Sequence, residues 1–529
     1  MSDWSFAAVW RGIAEATPDR EAIVCGEHRL SFGQFDDRAR RLAWHLTQEA
    51  GVEPGDKIAI DLLNCPEYLE TFFAALKLGC VPVNVNYRYV PDEVHYVVDN
   101  SEAKAVVCAP AVADTVKTAL KRIQKPWRPF TLQIGEPYEA ALAAAPPPAE
   151  WEPAHRPTGD DLIFLYTGGT TGMPKGVMWR NDDLYVALWR MGRPGTEPPD
   201  PIAAVQAGKR AGTCLPACPL MHGTGLFIAL TTLSGGGGVV LIDQPGLDPA
   251  RVWTEVERNA VAVLTIVGDV FARPLLDALE TEPGRWDLSS LRAITSSGVT
   301  WSPETKAGLL RHAPRVTLLD SLGASEGMAS RQAATADDPE IKPARFAVNE
   351  RVKVFREDTG EEVTPGSEEI GLLAVGGRIP LGYWRDPEKT AQTFRVIDGR
   401  RYALAGDYAQ VDTDGTIRLL GRGSASINTG GEKVYPEEVE LTLRKHPSVF
   451  DCVIVGVPDD RFGEIVVALV QVIDGHYFDE AELDAWCRRR LAGYKKPRRF
   501  LFVDSLDRNA AGKANYQALR RLAGQKLRS

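Results

Sequence analysis

The stretch Tyr166-Thr167-Gly168-Gly169-Thr170-Thr171-Gly172-Met173-Pro174-Lys175-Gly176 follows an apolar run, residues 162–165, that is typical of a buried strand. Four glycines within nine residues let the backbone turn sharply and bring its N–H groups close to an anion. Thr170 and Thr171 add hydroxyl donors, and Lys175 adds a cation. A Walker loop would need Gly-Lys-Ser/Thr, whereas here a proline precedes the lysine and a glycine follows it. We interpret the stretch as a polyphosphate-binding loop at a strand end, with a flexible surface turn as the alternative.

Length and composition limit the class of protein. The chain has 529 residues, more than one hydrophobic core normally supports, so at least two domains are expected. With 44% hydrophobic and 25% charged residues, it has the composition of a globular protein. A net charge of −10 argues against general binding to nucleic acids or anionic membranes. The eight cysteines are scattered and no secretory signal opens the chain, so we expect reduced thiols and a cytoplasmic protein.

Strand and helix patterns alternate along the first part of the chain. Residues 57–63, 81–85 and 105–107 predict strands, and residues 67–78 predict a helix between two of them. This alternation is typical of a parallel, doubly wound sheet, in which ligands gather at the carboxyl ends of the strands. Further strands are predicted at residues 261–267, 291–295 and 316–320, each ending near glycine or a polar residue.

Two other stretches of this region need an interpretation. Residues 192–208 are rich in proline and glycine and predict a loop or lid, with a disordered insertion as the alternative. The uncharged window 221–242 contains a histidine, two threonines and four consecutive glycines, which weaken any membrane-spanning helix. We therefore predict two buried elements around a glycine turn, and no transmembrane segment.

The pattern changes after residue 350. Short strands with turn signals predict a β-rich subdomain, and beyond Gly421 two helices, 436–445 and 479–491, flank strands 451–457 and 465–472. The predicted fold class is α/β. A large N-terminal domain, residues 1–420, would contain doubly wound sheets and the β-rich subdomain. A small, mobile α+β domain, residues 421–529, would follow a hinge near 421–425.

Seven short motifs occur along the chain in a fixed order. They are Tyr166–Gly176, Pro219–Gly223, Leu322–Glu326, Gly382–Thr390, Ala405–Asp407, Gly421–Arg422 followed by Gly430–Glu440, and Gly512–Lys513. Together they resemble the adenylate-forming superfamily, and within it the acyl-CoA synthetases, over essentially the whole chain. Segments 84–88, 177–180 and 427–433 are most similar to the branch that acts on steroid side-chain acids and other bulky acids.

The resemblance implies an acid–thiol ligase that uses ATP, Mg²⁺ and coenzyme A. A carboxylate would attack the α-phosphate of ATP to give an acyl-adenylate and pyrophosphate. The C-terminal domain would then swing so that the thiol displaces AMP. This two-step reaction explains why two domains are needed.

The resemblance also implies a role for each matching residue. Lys513 would bridge the carboxylate and the α-phosphate, His222 would gate the acid site, Glu326 would bind Mg²⁺, and Ser424 would be the hinge. The nucleotide-binding residues would be Thr167, Gly168, Gly169, Thr170, Thr171, Gly172, Lys175, Ser297, Gly298, Asp320, Ser321, Leu322, Gly323, Ser325, Asp407 and Arg422. Coenzyme A would contact Gly430, Gly431, Glu432 and Lys433. The acid pocket would be formed by His222, Gly223, Val267, Gly268, Ser297 and Gly323.

Three positions depart from the family pattern on the ATP side. Leu322 stands where an aromatic ring usually stacks on adenine, Ala405 replaces the usual threonine, and Asp507 replaces a proline before Arg508. One alternative is therefore an enzyme that performs only the thioester half, with a companion enzyme supplying the adenylate. A more distant alternative is a non-catalytic acyl-AMP or nucleotide sensor, which would not need Lys513. The sequence also leaves open a second protein partner, which would be another copy of the same chain in a homodimer.

The substrate expected from the sequence is a large, mostly apolar, polycyclic or branched acid. The resemblance to the bulky-acid branch supports it, and so do the many small residues near the presumed pocket, at 223, 225, 235–238, 268 and 296–298. Small side chains leave volume for a ligand. The alternative is that these residues only serve tight turns.

Overall fold

The computed structural model describes residues 3–168, 173–193, 195–297, 301–338, 341, 345–367, 369–422, 427–434, 436–473, 475, 477–506 and 516–528. Within these residues the strands are β1 Glu21–Cys25, β2 His28–Ser31, β3 Lys57–Asp61, β4 Val81–Asn84, β5 Ala103–Cys108, β6 Phe130–Gln133, β7 Leu162–Gly168, β8 Pro174–Arg180, β9 Cys214–Pro216, β10 Val239–Leu241, β11 Val263–Ile266, β12 Ala293–Ser297, β13 Thr317–Ala324, β14 Gly327–Ala334, β15 Phe346–Ala347, β16 Val352–Phe355, β17 Gly371–Gly376, β18 Gly382–Tyr383, β19 Phe394–Ile397, β20 Arg400–Ala403, β21 Asp407–Val411, β22 Thr416–Arg422, β23 Ile427–Thr429, β24 Glu432–Val434, β25 Val449–Asp459, β26 Gly463–Val472 and β27 Arg499–Phe502. The helices are α1 Phe6–Ala16, α2 Phe32–Ala50, α3 Pro66–Lys77, α4 Pro91–Ser101, α5 Ala113–Leu120, α6 Glu136–Ala143, α7 Asn181–Arg190, α8 Pro201–Gln206, α9 Gly223–Ser234, α10 Pro249–Arg258, α11 Gly268–Thr281, α12 Pro303–His312, α13 Pro387–Thr393, α14 Pro436–Leu443, α15 Glu480–Arg488 and α16 Tyr516–Lys526.

Two large sheets carry the predicted doubly wound architecture. One has the order β14-β13-β12-β11-β9-β10-β1-β2, and its six inner strands run parallel between antiparallel edges. The other has the order β18-β8-β7-β4-β3-β5-β6, in which the five strands from β7 to β6 are parallel. Helices between successive parallel strands provide the crossovers that such sheets require. The α/β prediction is confirmed.

The remaining strands form two smaller sheets. Strands β15–β17 and β19–β22 make an antiparallel seven-stranded sheet, as the turn-rich sequence beyond residue 350 predicts. Strands β23–β27 make a five-stranded sheet, with α14, α15 and α16 alongside it. This last group, residues 427–528, is called the C-terminal unit below.

Local sequence explains how individual helices begin and end. Helix α2 follows a capping box in which the Ser31 side chain accepts from the Gln34 N–H at 3.2 Å and Gln34 accepts from the Ser31 N–H at 2.9 Å. It ends at Gly51, whose φ of +59° suits glycine. The buried face carries Phe32, Phe35, Ala39, Arg40, Leu42, Ala43 and Leu46, which has the helical spacing seen in the sequence.

The structure corrects the interpretation of residues 192–208 and confirms that of residues 221–242. Residues 192–208 are not only loop, because α8 lies within them and the Asp200 side chain caps it by accepting from the N–H groups of Ile202 and Ala203. The proline that follows Asp200 favours a helix start, a signal that the proline-rich composition hid. The window 221–242 contains α9 and β10 around the glycine run, as predicted. Among the described residues, no helix has the length and apolar character that crossing a membrane would require.

Candidate active site

A cavity of about 260 Å³, called the large cavity below, lies at the carboxyl ends of β11, β12 and β13. Its wall contains the residues that end these strands or follow them, among them Val267, Ser297 and Gly323. Helix α9 and the end of α7 supply an apolar wall made of Leu188, Met191, Phe227 and Ile228. The cavity therefore lies where an open α/β sheet normally binds its ligand.

The start of the glycine-rich loop is fixed by one buried amide. Asn84, at the end of β4, donates to the carbonyl oxygens of Tyr166 at 3.0 Å and Met221 at 2.7 Å, and it accepts from the Tyr166 N–H at 2.6 Å. The Tyr166 hydroxyl donates to Asn100 at 2.6 Å. Because Asn84 joins Tyr166 to Met221, the residue before His222, it sets the spacing between the start of the glycine-rich loop and His222.

The two strands that flank the loop pair with each other in antiparallel fashion. Strand β7 continues through Thr167 and Gly168, which pair with Lys175 and Pro174 of β8. The sequence had placed the strand end before Tyr166, so the strand is longer than the apolar run suggested. Strand β8 places Lys175 beside Thr167, and Thr167 lines the large cavity.

A cation, a phenol and two carboxylates meet beside these two strands. Tyr383 donates to Glu326 at 2.7 Å, and the Lys175 ammonium lies 3.4 Å from Asp386 and 5.4 Å from the centre of the Tyr383 ring. Burial lowers the pKa of Lys175, a shift that Asp386 and Glu326 oppose. A partly desolvated lysine would gain from a polyphosphate, since anionic oxygens restore the favourable surroundings that burial removes. Glu326 offers a hard oxygen ligand within the same group.

The C-terminal unit closes one end of the large cavity. Gly430, Gly431 and Glu432 line it, and Glu432 lies 2.7 Å from the Arg88 guanidinium and 3.1 Å from Nε2 of His222. Although the two atoms lie 3.1 Å apart, Nε2 of His222 does not meet the geometric criteria of a hydrogen bond to Glu432. Burial would raise the pKa of Glu432, but His222, Arg88 and Lys495 outweigh burial and hold that pKa below its ordinary value.

One segment of the N-terminal part holds the C-terminal unit in this position. Residues 86–93, called the docking segment below, include Asn86, which donates to the Tyr494 hydroxyl at 3.1 Å, and the Arg88 that pairs with Glu432. Glu93 accepts from Lys495 at 2.7 Å and from the Ala492 N–H at 3.0 Å. The Glu93–Lys495 pair is almost fully buried, with exposures of 4% and 3%. Removing either partner would leave an uncompensated charge, so the pair fixes the geometry of docking.

A narrow gap separates Gly431 from helix α11. A Cβ atom on Gly431 would lie 3.4 Å from Phe271 and 3.6 Å from Val267, and the glycine has φ of +83°. All three residues line the large cavity. A longer side chain at 431 would therefore fill the gap between the C-terminal unit and Val267 and Phe271.

A second, much smaller cavity of about 20 Å³, called the small cavity below, lies on the other side of the β13–β14 hairpin. It shares Gly323, Ala324 and Glu326 with the large cavity. The rest of its wall is mostly aliphatic and includes Leu322 and Ala405, with Asp407 as the carboxylate. Asp407 pairs in register with Arg422 across β21 and β22. Leu322 stands where the family has a ring, and Ala405 stands where it has a hydroxyl. Both residues thus line the small cavity.

The structure brings together most of the described residues that the sequence had singled out. Those lining the large cavity are Thr167, His222, Gly223, Val267, Ser297, Ser321, Gly323, Ser325, Glu326, Gly430, Gly431 and Glu432. Lys433 is on β24, paired with Asn428. Two residues have other partners. Asp320 is 2.6 Å from buried Lys306, and the Gly268 N–H donates to Ser296 at 2.8 Å. The predictions for Gly169, Thr170, Thr171, Gly172, Gly298, Ser424, Asp507 and Lys513 concern positions outside the described residues.

Sequence reasoning did not assign a role to several side chains that shape this site. Asn84, Arg88, Tyr383, Tyr494 and Arg331 all contact it or line it, yet none stands in a pattern that indicates chemistry by itself. Asn84 and Arg88 belong to a segment that marked the subfamily resemblance, and Tyr383 belongs to the Gly382–Thr390 motif, but neither signal indicated a role. Contacts between residues several hundred positions apart, such as Arg88 and Glu432, have no local signature.

Comparison with known proteins identifies the family. Residues 10–384 match the family described as AMP-binding enzyme, and residues 438–513 match the AMP-binding enzyme C-terminal domain. The chain belongs to the AMP-binding enzyme family. It is 38% identical to the 3-oxocholest-4-en-26-oate–CoA ligase of Rhodococcus rhodochrous, over 95% of this chain and 93% of that one. It is 40% identical, with the same coverage, to the medium/long-chain-fatty-acid–CoA/3-oxocholest-4-en-26-oate–CoA ligase of Mycobacterium tuberculosis (strain ATCC 25618 / H37Rv).

A solved structure supports the same fold. The amide bond synthetase McbA of Marinactinospora thermotolerans superposes with a TM-score of 0.78 at 26% identity, over 97% of this chain and 99% of that one.

The protein of this chain is an acid–thiol ligase, an acyl-CoA synthetase that works through an acyl-adenylate. The family uses ATP, Mg²⁺ and coenzyme A. The donor set fits these groups, because Lys175 and Glu326 share one cluster and the Asp407 carboxylate faces the adjoining small cavity. The activity predicted from the sequence is confirmed, and the thioester-only and sensor alternatives are not favoured.

Proposed function

We propose that this enzyme converts a bulky, largely apolar, polycyclic carboxylic acid into its coenzyme A thioester. The observation that carries the proposal is the apolar wall of the large cavity, formed by α7 and α9. A cavity of about 260 Å³ is close to the lower end of the range that holds drug-sized ligands, and it is far larger than acetate needs. The names of the two relatives above, each including a steroid side-chain acid, support the same class of substrate.

The residues of this site have distinct tasks in the proposed reaction. Lys175 would hold the phosphates, Glu326 would hold Mg²⁺, and Asp407 would accept hydrogen bonds from the ribose. Bound ATP would supply the adenylyl group that activates the acid, and pyrophosphate would be the leaving group. His222 and Glu432, on opposite sides of the domain contact, would border the path of the thiol, and Lys513 would act in the adenylating arrangement.

Several finer assignments belong to the same proposal. We place the division between the two domains near residue 420, because β22 ends the β-rich sheet at Arg422 and β23 begins a separate sheet at Ile427. The eight cysteines are free thiols, which supports a cytoplasmic location. A homodimer and a companion adenylating enzyme remain proposals that oligomer mass and a coupled assay would test.

The test is thioester formation across a panel of acids with ATP, Mg²⁺ and coenzyme A. We expect kcat/KM to be highest for a polycyclic side-chain acid, lower for hexadecanoate and lower by at least about 100-fold for acetate, because acetate leaves the apolar wall unfilled. Pyrophosphate exchange with the same acids separates activation from transfer. A higher kcat/KM for the linear acids would refute the substrate assignment.

A further inference from the structure

Arg331 lies in the wall of the large cavity without a carboxylate partner among the described residues. Its Nε donates to the Ser321 hydroxyl at 3.1 Å, and its Nη2 lies 3.3 Å from the Met191 sulfur. A guanidinium carries five N–H donors, and a hydroxyl and a thioether satisfy few of them. Burial and the charge of Arg193 lower the pKa of Arg331, but arginine remains protonated in proteins.

The other two cations in the wall differ from Arg331 in this respect. Arg88 pairs with Glu432, and Lys495 pairs with Glu93. Both lie where the C-terminal unit docks, so their charges serve the domain contact. Arg331 has no such task, because its neighbours Met191 and Ser321 belong to the N-terminal part and neither is charged. A half-buried cation that has no counter-charge among the described residues is stabilised when a ligand supplies an acceptor.

The strand register places Arg331 far from the reacting end. Arg331 pairs with Ser321 across β13 and β14, whereas Glu326 lies in the turn that joins these strands. Four residues of extended strand separate Arg331 from Gly327 at the turn, a distance of roughly 13 Å. The apolar residues Leu188, Met191 and Ile228 line the same cavity. An acid with its carboxylate near Glu326 would therefore reach Arg331 only with its remote end.

We propose that Arg331 binds an oxygen at the end of the acid remote from the reacting carboxylate. The substrate then carries an acceptor there, a carbonyl, a hydroxyl or a second carboxylate, on an otherwise apolar skeleton. This inference rests on the proposed function and adds a specificity residue to it. The remote contact is the same before and after the carboxylate reacts, so it acts on KM more than on kcat.

The test compares three acids that share one polycyclic skeleton and one side-chain carboxylate. The first has a remote ketone, the second is its deoxygenated analogue, and the third has a remote carboxylate. For the wild-type enzyme we expect kcat/KM for either oxygenated acid to exceed that of the deoxygenated acid by about tenfold or more, through KM. This comparison needs no variant, so it does not depend on how a substitution affects folding. The ratio between ketone and carboxylate shows which acceptor the site takes.

Variants then assign the preference to Arg331. We expect Arg331→Met to lower kcat/KM for the oxygenated acids by about tenfold while changing that of the deoxygenated acid by no more than about threefold. Arg331→Lys keeps a cation and should retain part of the carboxylate preference. The matched control is Arg285→Met, which removes an exposed cation that stacks on Trp286 outside the cavity wall and should leave the preference unchanged.

The outcomes separate this inference from the proposed function. Thioester from none of the acids would refute the proposed function. Thioester from all three with no preference in the wild type, or an equal loss on all three in Arg331→Met with an unchanged unfolding temperature, would refute the role of Arg331 alone.

Discussion

The regions that we assign to the thiol and to the nucleotide, called the thiol side and the nucleotide side below, are built in different ways. On the thiol side, charged and polar side chains from distant parts of the chain meet directly, as in the contacts of Glu432 with Arg88 and His222. On the nucleotide side, aliphatic residues of neighbouring strands form most of the wall of the small cavity. Its two carboxylates are those of Asp407 and Glu326. The first region is specified by charged contacts between distant segments, and the second by apolar packing between two sheets, with β13 and β14 on one side and β17, β20 and β21 on the other.

This difference indicates which half-reaction suits the docked position of the C-terminal unit. The C-terminal unit is held against the docking segment by Asn86, Arg88 and Glu93, and it presents Gly430–Glu432 to the large cavity. This is the arrangement that the family resemblance assigns to thioester formation. Because we assign Lys513 to the other arrangement, we expect the enzyme to break these contacts when it activates the acid. The predictions below act on one side at a time.

The largest effect is expected from Lys513→Ala, which should break the nucleotide side alone. Removing the cation that would stabilise the charge developing between carboxylate and α-phosphate should lower acyl-adenylate formation by about 100-fold to 1000-fold. Thioester formation from supplied acyl-adenylate should remain. Pyrophosphate exchange and coenzyme A transfer, measured separately, test both halves. Lys445→Ala removes an exposed cation from the same unit and is the control, and equal losses in both halves would contradict the assignment of Lys513.

Gly431→Leu should produce the opposite pattern on the thiol side. A side chain there meets Phe271 and Val267, so we expect thioester formation to fall by about 100-fold while pyrophosphate exchange stays within about threefold. Gly475→Leu is the matched control, because Gly475 has φ of +84° but no neighbouring atom within 4 Å of its added Cβ. Both variants have the same backbone strain and only one fills the gap. Thioester formation at the parent rate in Gly431→Leu would exclude this gap as the thiol path.

Periodicity and turn residues were enough to predict most of the fold. The strands at 57–61, 81–84 and 263–266 and the helix at 66–77 were predicted within a few residues, because apolar spacing and glycine punctuation act locally. The short helix α8 was missed because its capping signal lies within a proline-rich stretch. In the site, motifs indicated Lys175, Glu326 and Gly431. The roles of Tyr383, Asn84 and Arg88 depend on partners far away in sequence, and no local pattern records such pairing.

A smaller effect is expected from removing one charge of the docking contact. Glu432→Gln should lower thioester formation by about tenfold, because Arg88 and His222 lose the carboxylate that they face. The pH dependence has a definite sign. Docking lowers the pKa of Glu432 from its ordinary value of 4.5, so its contribution to docking is present above pH 4.5 and is lost as the pH falls through the lowered pKa.

Fluorophore distances between the two parts of the chain would measure this dependence. The docked fraction of the parent enzyme should fall below pH 4.5, and that of Glu432→Gln should be low and nearly flat over the same range. Asp484→Asn, which removes a carboxylate that pairs with Arg488 within the C-terminal unit, is the control. A parallel decline in the parent and Glu432→Gln would show that another group controls docking.

The smallest expected effect is a gain on the nucleotide side. Leu322 and Ala405 line the small cavity together with the small side chains of Ala329 and Ala403. In Leu322→Tyr a ring would face the adenine, and stacking of a base on an aromatic ring contributes about 1–3 kcal/mol where it has been measured. Part of that energy is offset by ordering the ring, so we expect the KM for ATP in pyrophosphate exchange to fall by about fivefold. Leu322→Met has a similar volume without a ring and should leave the KM unchanged. If Leu322→Tyr and Leu322→Met behave alike, the aliphatic residue is not what limits ATP binding. If the parent already exchanges pyrophosphate rapidly with its acid, the two sides are equally competent despite their different construction.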